Sequence, residues 1–340
     1  MNKSLSLLRQ QANHTRYQSG QPAGHYESFF LRANHPDRPL AFWIRYTLFS
    51  PNRRPEKALG ELWAISFDGE THQHVAVKKE VPLAECVFKT AAFFVTVGEP
   101  CLEPGKLHGA VASGKHRISW NLTFSGDAEA LFLLPLNLYD AALPKAKSLV
   151  GLPMAIYNGS LSVDGEKMVL ANWVGSQNHN WGVQHTDLYA WGQVAGFDNH
   201  PDSFLELATA RLKIGPLWTP PMTPIVLRHR GEEIALNNMM QTLRARGSFR
   251  YFEWHFRSET KDLLLEGRIA APREAFVGLR YYNPPGGNKY CLNTKIASCE
   301  LKVVCKRNDR AGAPEILATQ HRAAFEILTD DRGHGIEIRA

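Results

Sequence analysis

The chain has 340 residues, of which 44% are hydrophobic, a composition typical of a globular protein long enough for two domains. Its formal net charge is +6, from 39 basic and 33 acidic residues. Because no nucleic-acid-binding motif accompanies this mild basic excess, we expect no nucleic-acid partner.

The five cysteines contain no C-x-x-C pair, so neither a disulfide framework nor a zinc knuckle is expected. Free thiols suit a reducing compartment, and we expect a cytoplasmic protein. The N-terminus lacks the apolar segment of a secretory signal, and no window approaches the ~18 apolar residues of a membrane-spanning helix. The sequence therefore predicts no transmembrane segment, and it leaves peripheral membrane contact open.

The first half of the chain reads as a series of short strands. Residues 1–20 form a polar tail with one short helix at about 5–11, and residues 141–149 are ambiguous between helix and strand. Alternating apolar residues and turn signals predict the strands. They cover residues 26–33, 41–49, 61–67, 72–79, 87–97, 117–124, 130–134, 155–163 and 167–172.

The same pattern of short strands restarts after Asp198, and a proline-rich connection at residues 215–224 interrupts it. Strands are predicted at 203–214, 225–229, 233–237, 242–246, 249–257, 263–271, 275–282, 290–305 and 324–329. This pattern predicts an all-β protein of two tandem antiparallel barrels or sandwiches. We place the N-terminal domain at 21–188 and the C-terminal domain at 189–340.

The central stretch 173–198 is the strongest functional signal in the sequence, because it concentrates tryptophan, histidine, asparagine and aspartate. In an extended chain alternate side chains share one face. That face would carry His179, Trp181, His185, Asp187, Tyr189 and Trp191, although Gly182 interrupts the run. A carboxyl or imidazole in an indole-rich wall can exchange protons with an apolar substrate. The alternative is a barrel core with a satisfied polar network.

Metal binding is the rival interpretation of this stretch. His185 and Asp187 lie two residues apart, His179 could be a third ligand, and His72 and His74 form another pair. None of these spacings is diagnostic, and G-x-S-x-G, Walker and H-E-x-x-H motifs are lacking. We therefore assign neither a metal nor a cofactor.

Two charged residues lie within strongly aromatic predicted strands. Glu27 follows Tyr26, and Arg45 lies two residues after Trp43. The sequence leaves open whether Glu27 and Arg45 form a buried pair or whether one of them faces solvent.

Three motifs resemble the carotenoid 1,2-hydratase (hydroxyneurosporene synthase) and AttH-like superfamily. The central one is Asn-His-Asn-Trp-Gly at 178–182, followed by His185, Thr186 and Asp187. An early aromatic strand carries Glu27, and a late Tyr-x-x-Pro-x-Gly turn at 282–287 precedes a strand with Asn293. The resemblance spans residues 24–306. The early strand departs from it, with Ser-Phe-Phe after Glu27 where many relatives have Gly-Trp-Tyr.

The resemblance implies two tandem lipocalin-like barrels with a pocket near their junction. Members of this superfamily hydrate or cyclise isoprenoid and polyene molecules, and such reactions need no redox cofactor. We therefore predict a cofactor-independent lyase or isomerase acting on an apolar small molecule. The alternatives are a non-enzymatic carrier of a hydrophobic molecule and a structural protein.

Roles follow from side-chain chemistry together with the resemblance. Asp187 would donate a proton from an apolar wall, His185 would orient it, and His179 or Glu27 would be rival acid–base groups. The remaining candidates would bind the ligand, the asparagines by holding a water or a substrate oxygen and the aromatic residues by stabilising positive charge. They are Trp43, Trp173, Asn178, Asn180, Trp181, Tyr189, Trp191 and Asn293.

Overall fold

A computed structural model describes residues 5–306 and 313–340. The fold is almost entirely antiparallel β-structure, and it contains two short α-helices in the described residues, α1 (Leu5–Gln10) and α2 (Met239–Arg244). None of the helices in these ranges combines the length and the hydropathy that a bilayer crossing requires.

The first sheet contains the twelve strands between residues 25 and 182. They are β1 (His25–Asn34), β2 (Leu40–Ser50), β3 (Leu59–Asp68), β4 (Val75–Pro82), β5 (Cys86–Phe88), β6 (Val95–Val97), β7 (Cys101–Glu103), β8 (Lys106–Ser113), β9 (His116–Ser125), β10 (Leu131–Phe132), β11 (Ala146–Val163) and β12 (Glu166–Gly182). The order is β4-β3-β2-β1-β12-β11-β9-β8-β7-β6-β5, with β10 beside β11. Contacts of β4 with β8 and β9 nearly close the sheet into a barrel.

The second sheet contains ten strands from residue 188 onward. They are β13 (Leu188–Ala195), β14 (Phe204–Arg211), β17 (Ile225–His229), β18 (Glu232–Leu236), β19 (Arg246–Arg250), β20 (Glu253–Glu259), β21 (Leu263–Ala270), β22 (Val277–Tyr282), β23 (Asn288–Cys305) and β24 (Glu315–Leu328). Their order is β18-β17-β14-β13-β24-β23-β21-β20-β19, with β22 beside β23. A separate small hairpin joins β15 (Lys213–Ile214) to β16 (Leu217–Trp218).

Strands β1 and β2 form the contact between the two sheets, and every residue in both strands is buried. One face packs inside the first barrel through Phe29 and Phe42. The opposite face places Phe30 and Trp43 in a core shared with the second sheet. Burial of both faces explains the long apolar run of β2. Half of the residues of β1 are polar, and Glu27 and Arg32 among them are buried with hydrogen-bond partners.

The structure confirms the all-β prediction and corrects several elements. Residues 242–246 were predicted as a strand, but helix α2 covers 239–244 because the Asn238 side chain accepts a hydrogen bond from the Gln241 backbone N–H and caps the helix. The ambiguous segment 141–149 enters β11 at Ala146. The predicted strand 87–97 divides into β5 and β6, and β24 begins nine residues earlier than the predicted 324–329. Residues 1–20 were expected as a polar tail, yet Leu8, Ala12 and Tyr17 are buried.

Candidate functional site

A cavity of about 390 Å³ lies between the two sheets. Its walls come from β1, β2 and β12 of the first sheet and from β13, β14, β22 and β24 of the second, together with α2 and the loop before β11. Most lining side chains are apolar or aromatic, and the charged ones are Arg45, Lys147, Glu206 and Glu326. A largely apolar cavity with a few buried polar groups is the usual form of a small-molecule site.

Near its C-terminal end, only one face of β12 lines the cavity. Asn178 and Asn180 line it, whereas His179 and Trp181 point to the other side of the strand, as alternation requires. The strand ends at Gly182, and the chain then carries His185 into the cavity wall before β13 begins. The face expected for an extended chain therefore does not continue across Gly182, and His179 and His185 lie in different surroundings.

Glu206 is the most unusual titratable group in the cavity wall. Its Oε1 accepts a hydrogen bond from Trp191 Nε1 at 2.7 Å, and its Oε2 accepts one from Gln193 Nε2 at 2.8 Å. Burial raises the pKa of Glu206 to about 7, against the opposing effect of these two hydrogen bonds. A carboxyl has about four lone-pair sites, so sites remain for a proton and a ligand.

The Gln193 side chain is held in one orientation by its neighbours. Its Oε1 accepts hydrogen bonds from Arg32 Nε at 2.7 Å and Ser176 Oγ at 2.6 Å. Its Nε2 donates to Asn178 Oδ1 and to Glu206 Oε2, both at 2.8 Å. All the donor and acceptor capacity of this amide is used, so its N–H group must face Glu206. Arg32 and Ser176 belong to the first sheet, so both sheets position the carboxyl.

Cations already occupy the aromatic faces of the wall. The Arg45 guanidinium lies 4.4 Å from the ring centre of Tyr281 and 5.8 Å from that of Trp43. Lys295 Nζ lies 5.4 Å from the Trp191 ring and 5.7 Å from the Trp43 ring. Both side chains are buried. The expectation that these indoles stabilise a substrate cation is therefore corrected, because a further positive charge would be repelled.

Glu326 is the second carboxyl in the wall. Its Oε1 accepts hydrogen bonds from Asn293 Nδ2 at 2.9 Å and Lys295 Nζ at 2.8 Å. Asn293, predicted to bind ligand, is fully buried behind Glu326 and lies outside the set of residues that line the cavity. The pairing with Lys295 makes Glu326 a neutralised part of the wall.

His185 lines the cavity as an uncharged ring. It stacks on Tyr26, with ring centres 3.8 Å apart, and on Tyr281 at 5.7 Å. Burial, with a smaller contribution from Arg45, lowers the pKa of His185 to about 3. At neutral pH this imidazole can exchange hydrogen bonds with a ligand, but it carries no charge.

Four of the predicted residues form or adjoin a separate buried cluster in the first barrel. Glu27 Oε1 accepts from His179 Nε2 at 2.8 Å and from the Arg16 backbone N–H at 2.7 Å. Trp181 packs beside His179, with ring centres 4.7 Å apart. Trp173 lies in the first barrel core against Phe42. None of these four predicted residues lines the cavity. The sequence left open whether Glu27 and Arg45 form a buried pair. They do not pair, since Arg45 Nη2 donates instead to Ser28 Oγ at 2.7 Å.

Asp187 also lies apart from the cavity wall. Its Oδ2 accepts a hydrogen bond from the Lys213 backbone N–H at 2.9 Å, and its Oδ1 is 3.9 Å from Lys289 Nζ. Asp187 was expected in an apolar wall. Its carboxyl instead contacts these two polar groups beside the second sheet. Hence His185 is the one member of the predicted Asp187, His185 and His179 group that lines the cavity.

The possible metal ligands named from the sequence do not come together as a metal site in the described residues. His74 Nδ1 accepts from the Asp68 backbone N–H, and His72 has a positive φ of 58° in the preceding turn. Among the described residues, two histidines and one glutamate, His200, His229 and Glu315, converge with possible ligand atoms within 4.8 Å of one another. Arg230 Nη2 donates to Glu315 at 2.7 Å and already supplies a cation there.

Several polar atoms of cavity-lining residues lack a partner within the described part of the chain. They are Trp43 Nε1, Arg45 Nε, Asn180 Oδ1 and Thr242 Oγ1. Buried polar groups are normally hydrogen-bonded. Their grouping around one cavity suits a mostly apolar ligand that also carries oxygen.

The sequence missed the residues that give the cavity its charge. Glu206, Glu326 and Lys147 were not proposed, and Arg45 was singled out without a role. A usable signal was present, because Glu206 and Glu326 are lone acids within the apolar runs Phe-Leu-Glu-Leu-Ala and Ala-Phe-Glu-Ile-Leu. A carboxyl in such a run is costly to bury unless it has a specific partner or function.

Comparisons with known proteins place the fold more firmly than the chemistry. No family model matches the chain. Two uncharacterized proteins from Mycobacterium tuberculosis, strains CDC 1551 / Oshkosh and ATCC 25618 / H37Rv, are each 25% identical over 203 residues. Each match spans 59% of this chain and 59% of the relative, so it covers less than two thirds of either protein.

Two solved structures share the fold over most of their length. An AttH-like protein from Nitrosomonas europaea has a TM-score of 0.55 at 12% identity, covering 90% of this chain and 91% of its own. Kievitone hydratase from Nectria haematococca has a TM-score of 0.58 at 11% identity, covering 92% and 91%. The prediction of two lipocalin-like β-barrel domains is thereby confirmed.

Proposed function

We propose that this protein is a lyase or isomerase of the hydratase or cyclase kind, acting by proton transfer on an apolar small molecule bound between the two sheets. The observation that carries the proposal is Glu206, a buried carboxyl with a pKa of about 7 in the wall of an apolar cavity. A group whose pKa lies near the operating pH can serve both as acid and as base. The fold shared with a hydratase supports the proposal.

In the hydration direction, the acid form of Glu206 gives its proton to one carbon of a substrate double bond. The oxygen of a water molecule bonds to the neighbouring carbon as this proton is transferred, so that no free carbocation forms, and a proton of that water then returns to the carboxylate. Trp191 Nε1 and Gln193 Nε2 stabilise the carboxylate between these events. Dehydration is the reverse, and no electrons are gained or lost, so a redox cofactor is not required.

Arg45 narrows the substrate class. A buried guanidinium in the wall of the same cavity attracts a carbonyl, hydroxyl or enolate oxygen and disfavours a free carbocation. We therefore propose an unsaturated molecule of the isoprenoid or polyene class, which the sequence motifs suggest, that carries an oxygen function. Asn180 and His185 would hold this oxygen or the reacting water.

The test begins with the ligand. Mass spectrometry of an organic extract of the purified protein, compared with that of a folded Trp43→Ala variant, identifies the molecule that occupies the cavity. With that molecule as substrate, we expect Glu206→Gln to lower turnover by about 10²–10⁴-fold, since glutamine cannot donate the proton. Asp187→Asn is the matched control, and we expect its turnover to stay within about twofold of wild type because Asp187 lies outside the wall. Unchanged turnover in Glu206→Gln, or a large loss in Asp187→Asn, would contradict the assignment.

A carrier of a hydrophobic molecule is the second candidate, and the apolar lining of the cavity favours it. In that case the extracted ligand would be chemically unaltered after long incubation. Glu206→Gln would then hold the same ligand with similar affinity and show no accumulated substrate.

A further inference from the structure

Three chain segments surround the cavity mouth, and each presents apolar side chains to solvent. Leu138 and Pro144 in the loop before β11, Leu212 and Thr219 flanking the β15–β16 hairpin, and Met239 of α2 all line the cavity. The adjoining side chains point outward from the same segments. They are Leu136, Leu143, Ile214, Leu217, Trp218, Met240 and Leu243, and with Met239 we call this set the apolar collar.

The β15–β16 hairpin is the most exposed part of the collar. Ile214 and Leu217 form one of its two cross-strand pairs and are 67% and 72% exposed. Gly215, with a φ of 59°, and Pro216 form its tip. Two adjacent aliphatic side chains at the end of a projecting hairpin are unfavourable in water unless another surface covers them.

The charges near the collar are predominantly positive. The Arg211 guanidinium lies 5.3 Å from the Trp218 ring centre, and Lys213, Arg244 and Arg246 are exposed. The sequence carries no acid between Glu206 and Glu232, or between Glu233 and Glu253. Acids also border the collar: Asp140 lies in the loop before β11, and Asp187 accepts a hydrogen bond from the Lys213 backbone. Glu259, whose backbone carbonyl accepts a hydrogen bond from Gln241 of α2, is paired with Arg257 and Lys306.

We propose that the apolar collar docks on the surface of an anionic lipid membrane, with the cavity mouth facing the lipid. Aliphatic, methionine and tryptophan side chains ringed by arginine and lysine are the composition of membrane-interface surfaces. An apolar ligand could then pass between bilayer and cavity without crossing water. The docking requires only the cavity mouth and does not depend on the chemistry proposed for Glu206.

The experiment is co-sedimentation of the full chain with vesicles of phosphatidylcholine alone or of phosphatidylcholine with phosphatidylserine. We expect tighter binding to the phosphatidylserine vesicles. The Ile214→Ser/Leu217→Ser double variant should bind about tenfold more weakly to both. Lys213→Gln and Arg244→Gln should each lower binding about fivefold, and only where phosphatidylserine is present.

Val169→Ser is the matched control, because Val169 is 71% exposed in β12 and lies outside the collar. Its vesicle binding should equal that of wild type, and circular dichroism verifies that all variants are folded. Wild-type protein that binds neither vesicle would overturn the proposal, as would an equal loss of binding in Val169→Ser. Concentration-dependent dimers without vesicles that vanish in the hairpin variant would instead assign the collar to a second copy of the chain. Vesicle binding is measured without substrate, so this result is independent of turnover.

Discussion

Glu27 and Glu206 are both buried glutamates on adjoining sheets, yet their surroundings give them opposite protonation behaviour. Glu27 accepts four hydrogen bonds, from His179 Nε2, His25 Nε2 and two backbone N–H groups. Burial pushes its pKa upward, but the bonds from His179 and His25 outweigh burial and hold the pKa at about 2. Glu206 accepts two, and burial raises its pKa to about 7.

The difference teaches that the number and type of donors, rather than burial, separates a structural carboxylate from a reactive carboxyl. The His179 ring sharpens the point, because its Nδ1 faces the Ala12 carbonyl at 2.6 Å while its Nε2 faces Glu27. Both partners are acceptors, so the ring must donate from both nitrogens as an imidazolium unless Glu27 holds the proton. A buried hydrogen-bonded pair of this kind fixes structure and leaves little capacity for a ligand.

The largest expected effect is on stability, in a pair of matched variants. We expect Glu27→Gln to lower the free energy of unfolding by about 3–5 kcal/mol, because the amide NH2 would replace one carboxylate oxygen and face two donors, a backbone N–H and a histidine nitrogen. Glu206→Gln should be neutral or stabilising at pH 8, where the wild-type carboxyl is ionised in an apolar wall. Urea unfolding measures both. Equal destabilisation by the two substitutions would remove the distinction between the sites.

The second effect is the pH dependence of stability. The folded-state pKa of Glu206, about 7, lies above the ordinary glutamate value of 4.5, so between these values the folded chain keeps a proton that the unfolded chain has released. The stability from Glu206 is therefore complete below about pH 4.5 and lost as pH rises through 7, by about 3 kcal/mol. Glu27 behaves in the opposite sense, since its contribution is present above pH 4.5 and lost as pH falls toward 2.

Urea unfolding at pH 5, 6, 7 and 8 tests this prediction by measuring the free energy of unfolding of the wild type and of Glu206→Gln. The variant should lack the decline between pH 5 and pH 8. A decline of the same size in the variant would show that another group is responsible.

The smallest effect concerns one hydrogen bond. Trp191→Phe keeps the ring but removes the Nε1 donor to Glu206, so the ionised carboxyl is less stabilised and its pKa should rise further. We expect the alkaline limb of the pH–rate profile to move to higher pH and the free energy of unfolding to fall by about 1 kcal/mol. A limb that stays in place would indicate that Trp191 does not tune Glu206.

The sequence predicted the sheets well because strand signals are local. Alternation and turn residues located β1, β2 and β3 to within a few residues. The strand predicted at 242–246 failed because a single capping contact from Asn238 decided the local structure in favour of a helix.

The candidate site was only partly predictable. Asn178, Asn180, His185, Tyr189, Trp191 and Trp43 do line the cavity, and they come from aromatic or polar runs that stand out in the sequence. His179 was placed on the wrong side because the strand ends at Gly182, which changes the parity before His185. Glu206 was missed because it lies on β14 of the second sheet, away from the central stretch in sequence. Pairing of β13 with β14 brings it close to Trp191, and this pairing is not visible in the sequence.

The hydrogen bonds from the backbone of Arg16 and Tyr17 to Glu27 have a practical consequence for expression work. A shortened protein that starts at residue 21, the boundary suggested by composition, would strip away both N–H groups and the Ala12 carbonyl that binds His179. Such a fragment would leave Glu27 with two of its four hydrogen bonds, those from His179 and His25, and would uncover the His179 ring that packs on Phe29 and Trp181. Poor yield of that fragment would therefore report on its missing first residues rather than on the second sheet.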